Sequence, residues 1–404
     1  MNYFLLPHSY PFTYRKLDYY ADDATATEPI SQSLSHYLYE IKEKIKLFDQ
    51  EWDIYKEYTN PYEYIHTYVP HLKHSVSTYR PLSRSYFKMV EIMVHFDLLN
   101  SMPFKKGPIK TFHLAEGPGG FIEAFVNRRR AQDPANSPQD RYFGMTLIDD
   151  ADKTIPSWKK SQTFLRNNPA VSIEYGEDGT GNLLSIRNFI GVVQKHGSSM
   201  DFLTADGGFD FSEDYNKQEL KILNLLYAQI AYAVCMQKRG GTFVIKVFDC
   251  FSAATVDLLY LLSSFYEKVY VTKPQTSRYA NSERYVVCTG FHFDGYAPFY
   301  SYILSAFSKM CVTERPVARF LQIDVPMYFL NRLEESNIVM GMNQIENIYS
   351  TITLMENKSS KKSRIEHLTK VNVGKCVQWC AQHSVPVLHS LQGTKGSPLT
   401  PPFT

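Results

Sequence analysis

Short runs rich in β-branched and aromatic residues alternate with longer runs of helical periodicity between about residues 111 and 289. Strands that alternate with helices are joined by crossovers, so they form a parallel sheet with helices on both faces. The pattern therefore predicts a doubly wound α/β domain. Its strands are predicted at 111–115, 142–147, 171–175, 201–205, 242–248, 268–272 and 284–289, and its longest helix at 216–236.

The segments on either side of this domain follow other patterns. Residues 1–32 are rich in Tyr, Pro and Asp without a clear period, which predicts an extended arm. Apolar residues at helical spacing predict a helix over about 34–48 and another over 85–99. Beyond Tyr300 the predicted strands stop and the pattern is mostly helical. We predict four parts: an N-terminal arm and helical segment (1–75), the α/β domain (76–297), a C-terminal helical extension (298–390) and a mobile tail (391–404).

Charge, apolar runs and cysteine usage narrow the class of protein. Lys and Arg number 43 and Asp and Glu 41 in 404 residues, so the net charge of +2 gives no overall argument for nucleic-acid binding. The longest apolar runs are far shorter than the ~20 residues that span a bilayer, so we expect no membrane segment. Six cysteines and the lack of a signal-peptide pattern favour an intracellular location, with nucleus, cytoplasm and virion indistinguishable.

A glycine-rich turn follows the first predicted strand of the domain. Residues 113–121 read HLAEGPGGF and open a helix. Glycines allow the backbone to approach a ligand closely, and a helix N-terminus offers free N–H groups. The spacing differs from the G-x-G-x-x-G dinucleotide motif, because no third glycine stands at the required place. By itself, the turn fits a tight strand-to-helix connection equally well.

Four further motifs accompany this turn in a fixed order. They are SRSYFK at 83–88, TADGGF at 204–209, GGTFVIKVFD at 240–249 and KPQTSRYANSERYVVC at 273–288. Together the five motifs resemble those of the RrmJ/FtsJ-like S-adenosylmethionine-dependent RNA 2′-O-methyltransferases, and are closest to the mRNA cap methyltransferases. The resemblance covers about residues 80–292. It implies a Rossmann-like methyltransferase fold, here with helical N- and C-terminal extensions, and methyl transfer to the ribose 2′-hydroxyl of a 5′-terminal transcribed nucleotide of capped mRNA.

The resemblance also implies four catalytic residues. Lys246 would be the general base, Asp206 and Lys88 would tune and position it, and Glu283 would be the orienting carboxylate. A ribose hydroxyl is a weak nucleophile, so a base must remove its proton during attack, and a lysine can do so only when neutral. Burial and a neighbouring cation lower a lysine pKa, while carboxylates raise it. Two lysines and two carboxylates sum to zero charge, which a partly dry cleft tolerates. The transfer step needs no metal.

Cofactor contacts follow from the same resemblance. S-adenosylmethionine would be held at its adenine side by Asn182 and Leu183, with Asp178 as the alternative to Asn182. The family usually has an acidic residue where this chain has His113, and Glu116 offers a carboxylate close by. The residues implied at the methionine end are Ser83, Ala115, Glu116, Gly117, Pro118, Gly119, Gly120 and Phe121.

Capped RNA is the implied partner, and the terminal extensions offer surfaces for other capping enzymes or a polymerase. The positions that resemble RNA-contacting residues are Asn216, Lys217, Gln218 and Asn281; a helix N-terminus capped by Asn216 is the competing interpretation. The basic run 128–130, with Lys105 and Lys106, could contact phosphates, although such a run is more often a solvated face. With 29 Tyr and 26 Phe, no cap-stacking residue can be singled out.

Two other functions fit the resemblance less well but stay open. One is 2′-O-methylation of an internal rRNA or tRNA ribose. The other is a non-catalytic RNA-binding or scaffold protein with the same fold, which the intact set of two lysines and two carboxylates disfavours. Cys376, Cys380 and His383 share one predicted helical face, but a zinc site needs a fourth ligand, so we predict no metal.

Overall fold

The computed structural model describes residues 1–21, 29–100, 107–149, 151–152, 155–208, 215–357 and 361–391. The strands in this part of the chain are β1 (Tyr3–Leu6), β2 (Leu17–Ala21), β3 (Lys110–Leu114), β4 (Arg141–Met145), β5 (Val171–Ile173), β6 (Met200–Ala205), β7 (Gln237–Phe248), β8 (Tyr266–Thr272), β9 (Glu283–Phe291) and β10 (Val317–Leu321).

The helices of the same residues complete the architecture. They are α1 (Gln32–Ile45), α2 (Asp49–Thr59), α3 (Ser85–His95), α4 (Gly120–Gln132), α5 (Gln162–Asn167), α6 (Ile186–His196), α7 (Gln218–Lys221), α8 (Leu223–Met236), α9 (Ala253–Phe265), α10 (Ala297–Val312), α11 (Met327–Glu356) and α12 (Lys361–Gln382). None of these described helices combines the length and the apolar content that a bilayer span requires.

A central sheet of eight described strands runs in the order β1-β8-β9-β7-β6-β3-β4-β5. The strands from β7 to β5 are parallel to one another, whereas β9 lies antiparallel between β7 and β8. The predicted mostly parallel, doubly wound sheet is therefore confirmed, with an antiparallel edge. The order reverses between β3 and β6, and ligands of open α/β sheets bind beyond the carboxyl ends of the strands at such a switch point.

Burial explains why the middle of the chain forms this sheet. All six residues of β6 are buried, as expected for a parallel strand covered on both faces. Helices α8 and α9 are buried on almost every side and pack in the main core. The Ser185 and Ser252 side chains cap α6 and α9 by accepting hydrogen bonds from the backbone N–H groups of Asn188 and Thr255.

The N-terminal residues are more ordered than the sequence predicted. Instead of forming only an extended arm, residues 3–6 pair antiparallel with β8 and close one edge of the central sheet. Strand β2 pairs with β10, so the prediction that strands stop after Tyr300 is also wrong. Both errors have one cause: these strands are short, and their partners lie about 265 to 300 residues away, beyond the reach of a local pattern.

The predicted helical extensions are present on both sides of the α/β region. Helix α1 packs on α11 through a cluster that includes Leu38, Ile41 and Ile348, and Phe251 at the end of the sheet joins it. The extensions therefore border the end of the sheet that carries the glycine turn. The helix predicted over 216–236 is divided at Ile222 into α7 and α8. The boundaries of the four predicted parts stay a prediction, and the tail lies outside the described residues from residue 392 onward.

Candidate active site

Three predicted catalytic residues meet because of the strand register. Asp206 directly follows β6, and its backbone N–H bonds to the carbonyl oxygen of Leu114 at the end of β3, 3.2 Å away. Lys246 lies near the carboxyl end of β7. Because β9 runs antiparallel to β7, its first residue, Glu283, pairs with Phe248 at that same end. One edge of the sheet thus presents all three side chains.

The four ionisable groups form two ion pairs. Lys88, which reaches the edge from α3, places its Nζ 2.7 Å from Oε1 of Glu283 and 2.8 Å from Oε2. The Nζ of Lys246 lies 3.2 Å from Oδ1 of Asp206 and donates to the Asp206 carbonyl oxygen at 2.7 Å. All four side chains are at most 16% exposed. The lysines and carboxylates are therefore balanced in charge within a nearly dry site.

Tyr285 joins the two pairs. Its hydroxyl donates to Oδ1 of Asp206 at 3.0 Å, and the Nζ of Lys88 lies 5.9 Å from the centre of its ring. Burial, followed by the charges of Asp206 and Glu283, raises the pKa of Tyr285 well above its usual value. The phenol therefore stays protonated and acts as a hydrogen-bond donor to Asp206.

A third lysine supports the loop before β9. Lys273 donates to the Asn281 carbonyl and side-chain oxygens at 2.7 and 2.8 Å, and to the Glu283 carbonyl at 2.7 Å. Burial lowers the pKa of Lys273 to about 7, against the opposing charge of Glu283. Burial would raise the pKa of Glu283, but the charges of Lys88, Lys246 and Lys273 outweigh it and hold that pKa below its usual range. Ser277 also donates to Oε1 of Glu283 at 2.8 Å.

The glycine turn lies beside these pairs, between β3 and α4. Gly119 has a φ of +106°, which an L side chain rarely adopts. A Cβ at Gly117 would lie 2.7 Å from the carbonyl oxygen of Ser157, and one at Gly120 would collide with the hydroxyls of Ser83 and Ser85. The turn thus brings the Ser83 hydroxyl against the start of α4, and the contact of these residues with a cofactor stays a prediction.

Glu116 caps the helix that follows the turn. Its Oε1 accepts hydrogen bonds from the backbone N–H groups of Phe121 at 2.6 Å and Ile122 at 3.2 Å. Its Oε2 is buried and has no partner among the described residues. Burial and the charge of Asp206 raise the pKa of Glu116 well above its usual value. A buried polar atom left unpaired is characteristic of a site that a ligand completes.

A family model for FtsJ-like methyltransferases matches residues 81–291, just over half of the chain. This chain belongs to the FtsJ-like methyltransferase family. The matched region contains the glycine turn and both ion pairs, so the predicted family is confirmed.

Two relatives have more specific names. The chain is 26% identical over 369 residues to the cap-specific mRNA (nucleoside-2′-O-)-methyltransferase 2 of Danio rerio, covering 85% of the chain and 46% of that protein. It is 35% identical over 229 residues to the cap-specific mRNA (nucleoside-2′-O-)-methyltransferase 1 of Danio rerio, covering 52% of the chain and 26% of that protein. The chain thus spans less than half the length of each.

The fold also has a loose likeness to a solved structure of a Plasmodium falciparum protein described as a ribosomal RNA methyltransferase. The TM-score is 0.36 at 18% identity, with 52% of this chain and 98% of that one covered. A likeness this loose carries no argument about the substrate.

His113 is a core residue in this FtsJ-like methyltransferase. Its ring nitrogens lie 2.8 Å from the hydroxyls of Thr111 and Thr204, and the side chain is fully buried. Burial lowers the pKa of His113 to about 3, so the ring is neutral. It therefore carries no charge where the family usually has an acid, and Glu116 is the carboxyl group of the turn.

The residues predicted at the adenine side have local bonds. Oδ1 of Asn182 accepts from the Leu184 N–H at 2.9 Å, and Leu183 is buried in the main core. Asp178 accepts from Thr180 and from the Asn188 side chain at 2.8 Å. Both polar side chains thus support the turn after β5, and their contact with adenine stays a prediction.

The predicted RNA-contacting residues divide into two environments. Gln218 and Asn281 line one cavity of about 130 Å³, next to the loop that leads to Glu283. Asn216 instead lies in a single 3-10 turn and donates to Oε1 of Glu43 at 2.8 Å, and Lys217 beside it is exposed. Contacts of any of the four with RNA stay a prediction.

Other predicted basic and metal-ligating residues have structural environments. Arg129, in the run 128–130, is 1% exposed and pairs with Asp140 at 3.0 Å, so it cannot contact a phosphate in this conformation. Lys105 and Lys106 lie outside the described residues. Cys376 and Cys380 are buried beside Trp379 in a hydrophobic cluster. No group of three potential metal ligands occurs in the described part of the chain.

Sequence reasoning missed several residues of the site. Tyr285 stands two positions after Glu283 on one strand, so alternation alone indicated that both face the same side. Glu91 of α3 holds the loop after β8 by accepting from the N–H groups of Gln275 and Thr276, and Trp379 of α12 donates to it at 3.3 Å. Lys42 of α1, 3% exposed, bonds to Asp249 and to Ser282 at 2.8 Å. The contacts of Trp379 with Glu91 and of Lys42 with Asp249 and Ser282 leave no local sequence signal, because the partners are far apart along the chain.

Proposed function

We propose that this chain transfers the methyl group of S-adenosylmethionine to a ribose 2′-hydroxyl at the 5′ end of capped mRNA. The observation that carries the proposal is the convergence of the Lys88 and Glu283 pair with the Lys246 and Asp206 pair, linked by Tyr285, beside the glycine turn. Membership in the FtsJ-like family and the names of the cap-specific relatives support it.

The residues of the turn fit the proposed cofactor. Its methionine end carries an ammonium and a carboxylate, and the ammonium suits the carboxyl groups of Glu116 and Asp206. The glycines at 117, 119 and 120 leave the room that a Cβ would fill. We assign the methionine end to Ser83 and residues 115–121, and the adenine end to Asn182 and Leu183. When bound, S-adenosylmethionine supplies an electrophilic methyl carbon and keeps the bonding electron pair on its sulfur.

The protein's own part in the reaction is proton removal and orientation. In the deprotonated form that a general base requires, Lys246 would accept the hydroxyl proton on Nζ while the hydroxyl oxygen uses its electron pair to form the new bond to carbon. Asp206, held by Tyr285, keeps that Nζ in position. Glu283 pairs with Lys88 and would orient the ribose. Holding both reactants in line converts a bimolecular encounter into an effectively intramolecular step.

The proposed substrate also bears on the cellular location and the partner proteins of this chain. Action on capped mRNA agrees with an intracellular location, which we propose together with the function. The six cysteines are free thiols, five of them buried, which suits a reducing compartment. Docking of other capping enzymes or a polymerase on the extensions stays a prediction.

The test is incubation of the chain with labelled S-adenosylmethionine and a defined RNA that carries an unmethylated 5′-terminal ribose. Matched RNAs would be capped, uncapped, or an internal rRNA or tRNA fragment. We expect label only in the capped RNA, and nuclease digestion would locate it on the ribose of the first or second transcribed nucleotide. Label in the internal fragment alone would replace the cap substrate with an rRNA or tRNA substrate. No label with any RNA would contradict methyl transfer.

A further inference from the structure

Two arginines share one buried carboxylate at the rim of the site. Arg84 donates from Nη1 to Oε1 of Glu63 at 3.1 Å, and Arg278 donates from Nε at 3.0 Å and from Nη2 at 2.6 Å. The Glu63 side chain has no exposed surface. Burial opposes its ionisation, but the two guanidinium groups lower the pKa of Glu63 to about 2. We call Arg84, Glu63 and Arg278 the arginine clamp.

The clamp lies beside the predicted catalytic ion pair along two elements. Arg84 immediately precedes α3, one turn before Lys88. Arg278 lies in the loop that leads to β9, five residues before Glu283. Arg84 also interacts electrostatically with Glu283. Arg84 is therefore close to the Lys88 and Glu283 pair, and Arg278 lies on the loop that leads into that pair.

Glu63 explains why these cations do not disrupt the site. A free guanidinium next to Glu283 would compete with Lys88 for that carboxylate, since arginine binds carboxylates in a two-pronged geometry. Glu63 satisfies one side of each arginine and fixes its orientation, and Asn60 adds a hydrogen bond to Glu63 at 2.6 Å. The clamp thus keeps two positive charges beside the site without breaking the ion pair between Lys88 and Glu283.

The clamp still has donors and surface for a ligand. Nη1 of Arg278 has no hydrogen-bond partner among the described residues, and the Arg84 and Arg278 side chains are 29% and 28% exposed. Two further acids lie near Arg278, but neither accepts a hydrogen bond from its Nη1. Asp53 forms an ion pair with Lys56, and burial raises the pKa of Glu57.

The cavity beside Arg278 has the chemistry of an anion site. It measures about 130 Å³ and also contains Lys42, Lys56 and Asn281 in its walls. None of the described residues that line it is acidic. A phosphate group fits such surroundings, because guanidinium and ammonium groups are the usual hydrogen-bond donors to phosphate oxygens.

We infer that the arginine clamp binds a phosphate of the RNA next to the target ribose, through Arg278 and with Arg84 as its neighbour. This inference rests on the proposed function and adds the feature of the substrate that the rim recognises. The phosphate is either the diester after the target nucleotide or part of the cap's triphosphate bridge. A phosphate contact positions the RNA without selecting its base sequence.

The test compares Arg278→Lys with the wild type. Lysine keeps the charge, but its single ammonium group remains paired with the buried Glu63, so the planar donor set that would also reach a phosphate is lost. We expect the KM for capped RNA to rise about tenfold with kcat little changed, and the salt slope of RNA binding to fall by about 0.7, the value for one phosphate contact on a single strand. Arg278→Ala should give a larger defect of the same kind. The matched control is Arg239→Lys, an exposed arginine paired with Asp294 at the opposite end of β7.

Two altered RNAs identify the phosphate. A neutral methylphosphonate after the target nucleotide removes the diester charge, and a shortened bridge removes one phosphate of the cap. If one alteration adds nothing to the Arg278→Lys defect, the phosphate that this alteration removes or neutralises is the one that Arg278 binds. The inference is overturned if Arg278→Lys keeps the wild-type KM and salt slope, or if its defect adds in full to both alterations. Binding is also followed by fluorescence anisotropy, so a wild type without transfer activity would contradict the proposed function and leave this measurement intact.

Discussion

Lys246 and Tyr285 lie opposite each other in the antiparallel register of β7 and β9, and both side chains reach Asp206. The strand pairing itself therefore sets the distance between the proposed base and its hydrogen-bonded support. A shift of one residue in this register would turn Tyr285 to the other face of the sheet.

Lys246→Ala should abolish methyl transfer, because the proposed acceptor of the hydroxyl proton is removed. General-base catalysis contributes about 10²–10⁴-fold to a rate, so we expect a loss of at least that size in a labelled-methyl assay. Cofactor binding, measured by calorimetry, should remain detectable. Lys238→Ala on the same strand is the control, since Lys238 is 54% exposed and pairs with Asp201 away from the site. Near-normal turnover of Lys246→Ala would refute the assignment.

Tyr285→Phe should lower kcat by about one order of magnitude, because Asp206 loses a hydrogen bond to a charged group worth about 1.5–3 kcal/mol. The KM for the cofactor should change little. Tyr266→Phe removes a comparable buried bond to Gln237 at the other end of the sheet. It should cost stability without lowering kcat, and equal kcat values for the two variants would argue against a role for the Asp206 contact.

Glu283→Gln should destabilise the fold by about 3 kcal/mol, because Lys88 and Lys273 would be left clustered without their carboxylate. Urea unfolding measures the loss. Adding Lys88→Met should restore part of it by removing the unpaired cation. The matched surface pair is Lys309 with Asp18, where Lys309→Met should cost less than about 1 kcal/mol. A double variant less stable than Glu283→Gln would show that the lysine is not the source of the cost.

Gly117→Ala should weaken cofactor binding, because its Cβ would lie 2.7 Å from the backbone oxygen of Ser157 and the turn would have to move. We expect at least a tenfold higher cofactor dissociation constant. Gly374→Ala in α12 is the control, since its Cβ would meet no atom within 4 Å. That change should leave binding intact and raise stability by about 0.5–1 kcal/mol through lower chain entropy. Unchanged affinity in Gly117→Ala would mean that the turn does not contact the cofactor.

Lys273 should make stability depend on pH above neutrality. Its pKa is about 7 in the folded chain and 10.5 ordinarily, so between these values the unfolded chain holds a proton that the folded chain lacks. The free energy of unfolding should therefore rise with pH in this window, by up to about 1.4 kcal/mol per unit from this group, and this contribution is lost as pH falls through 7. Lys273→Met should flatten the curve, whereas Lys268→Met, at an exposed position of β8, should not. Parallel curves for all three proteins would contradict the lowered pKa.

The parts of the fold that the sequence predicted share one property. Strands β3 to β7 and their helices follow a local alternation of apolar runs, and Asp206, Lys246 and Glu283 occupy the strand ends that the motifs indicated. Strands β1, β2 and β10 escaped prediction because pairing with a distant partner, rather than local propensity, stabilises them.

The site shows the same division between local and distant information. Tyr285 was within reach of strand alternation, whereas Glu63 contacts Arg278 and Lys42 contacts Ser282, 215 and 240 residues away along the chain. The convergence of Lys88 with Glu283 came from the family resemblance and not from any spacing, since 195 positions separate them. A sequence read alone gives the groups that ionise but not the neighbours that hold them.

Lys42 of α1 bonds directly to Ser282 in the segment between β8 and β9, and Trp379 of α12 bonds to Glu91, which holds the start of that segment. Anyone who trims this protein to the stretch shared with its family, for crystallisation or inhibitor screening, would discard both anchors. The shortened fragment would expose the apolar surfaces of α3 and α9 and would remove the Lys42 contact from the segment that carries Ser277. Compounds selected against such a fragment would therefore bind a more loosely held loop than the one that the 404-residue chain presents.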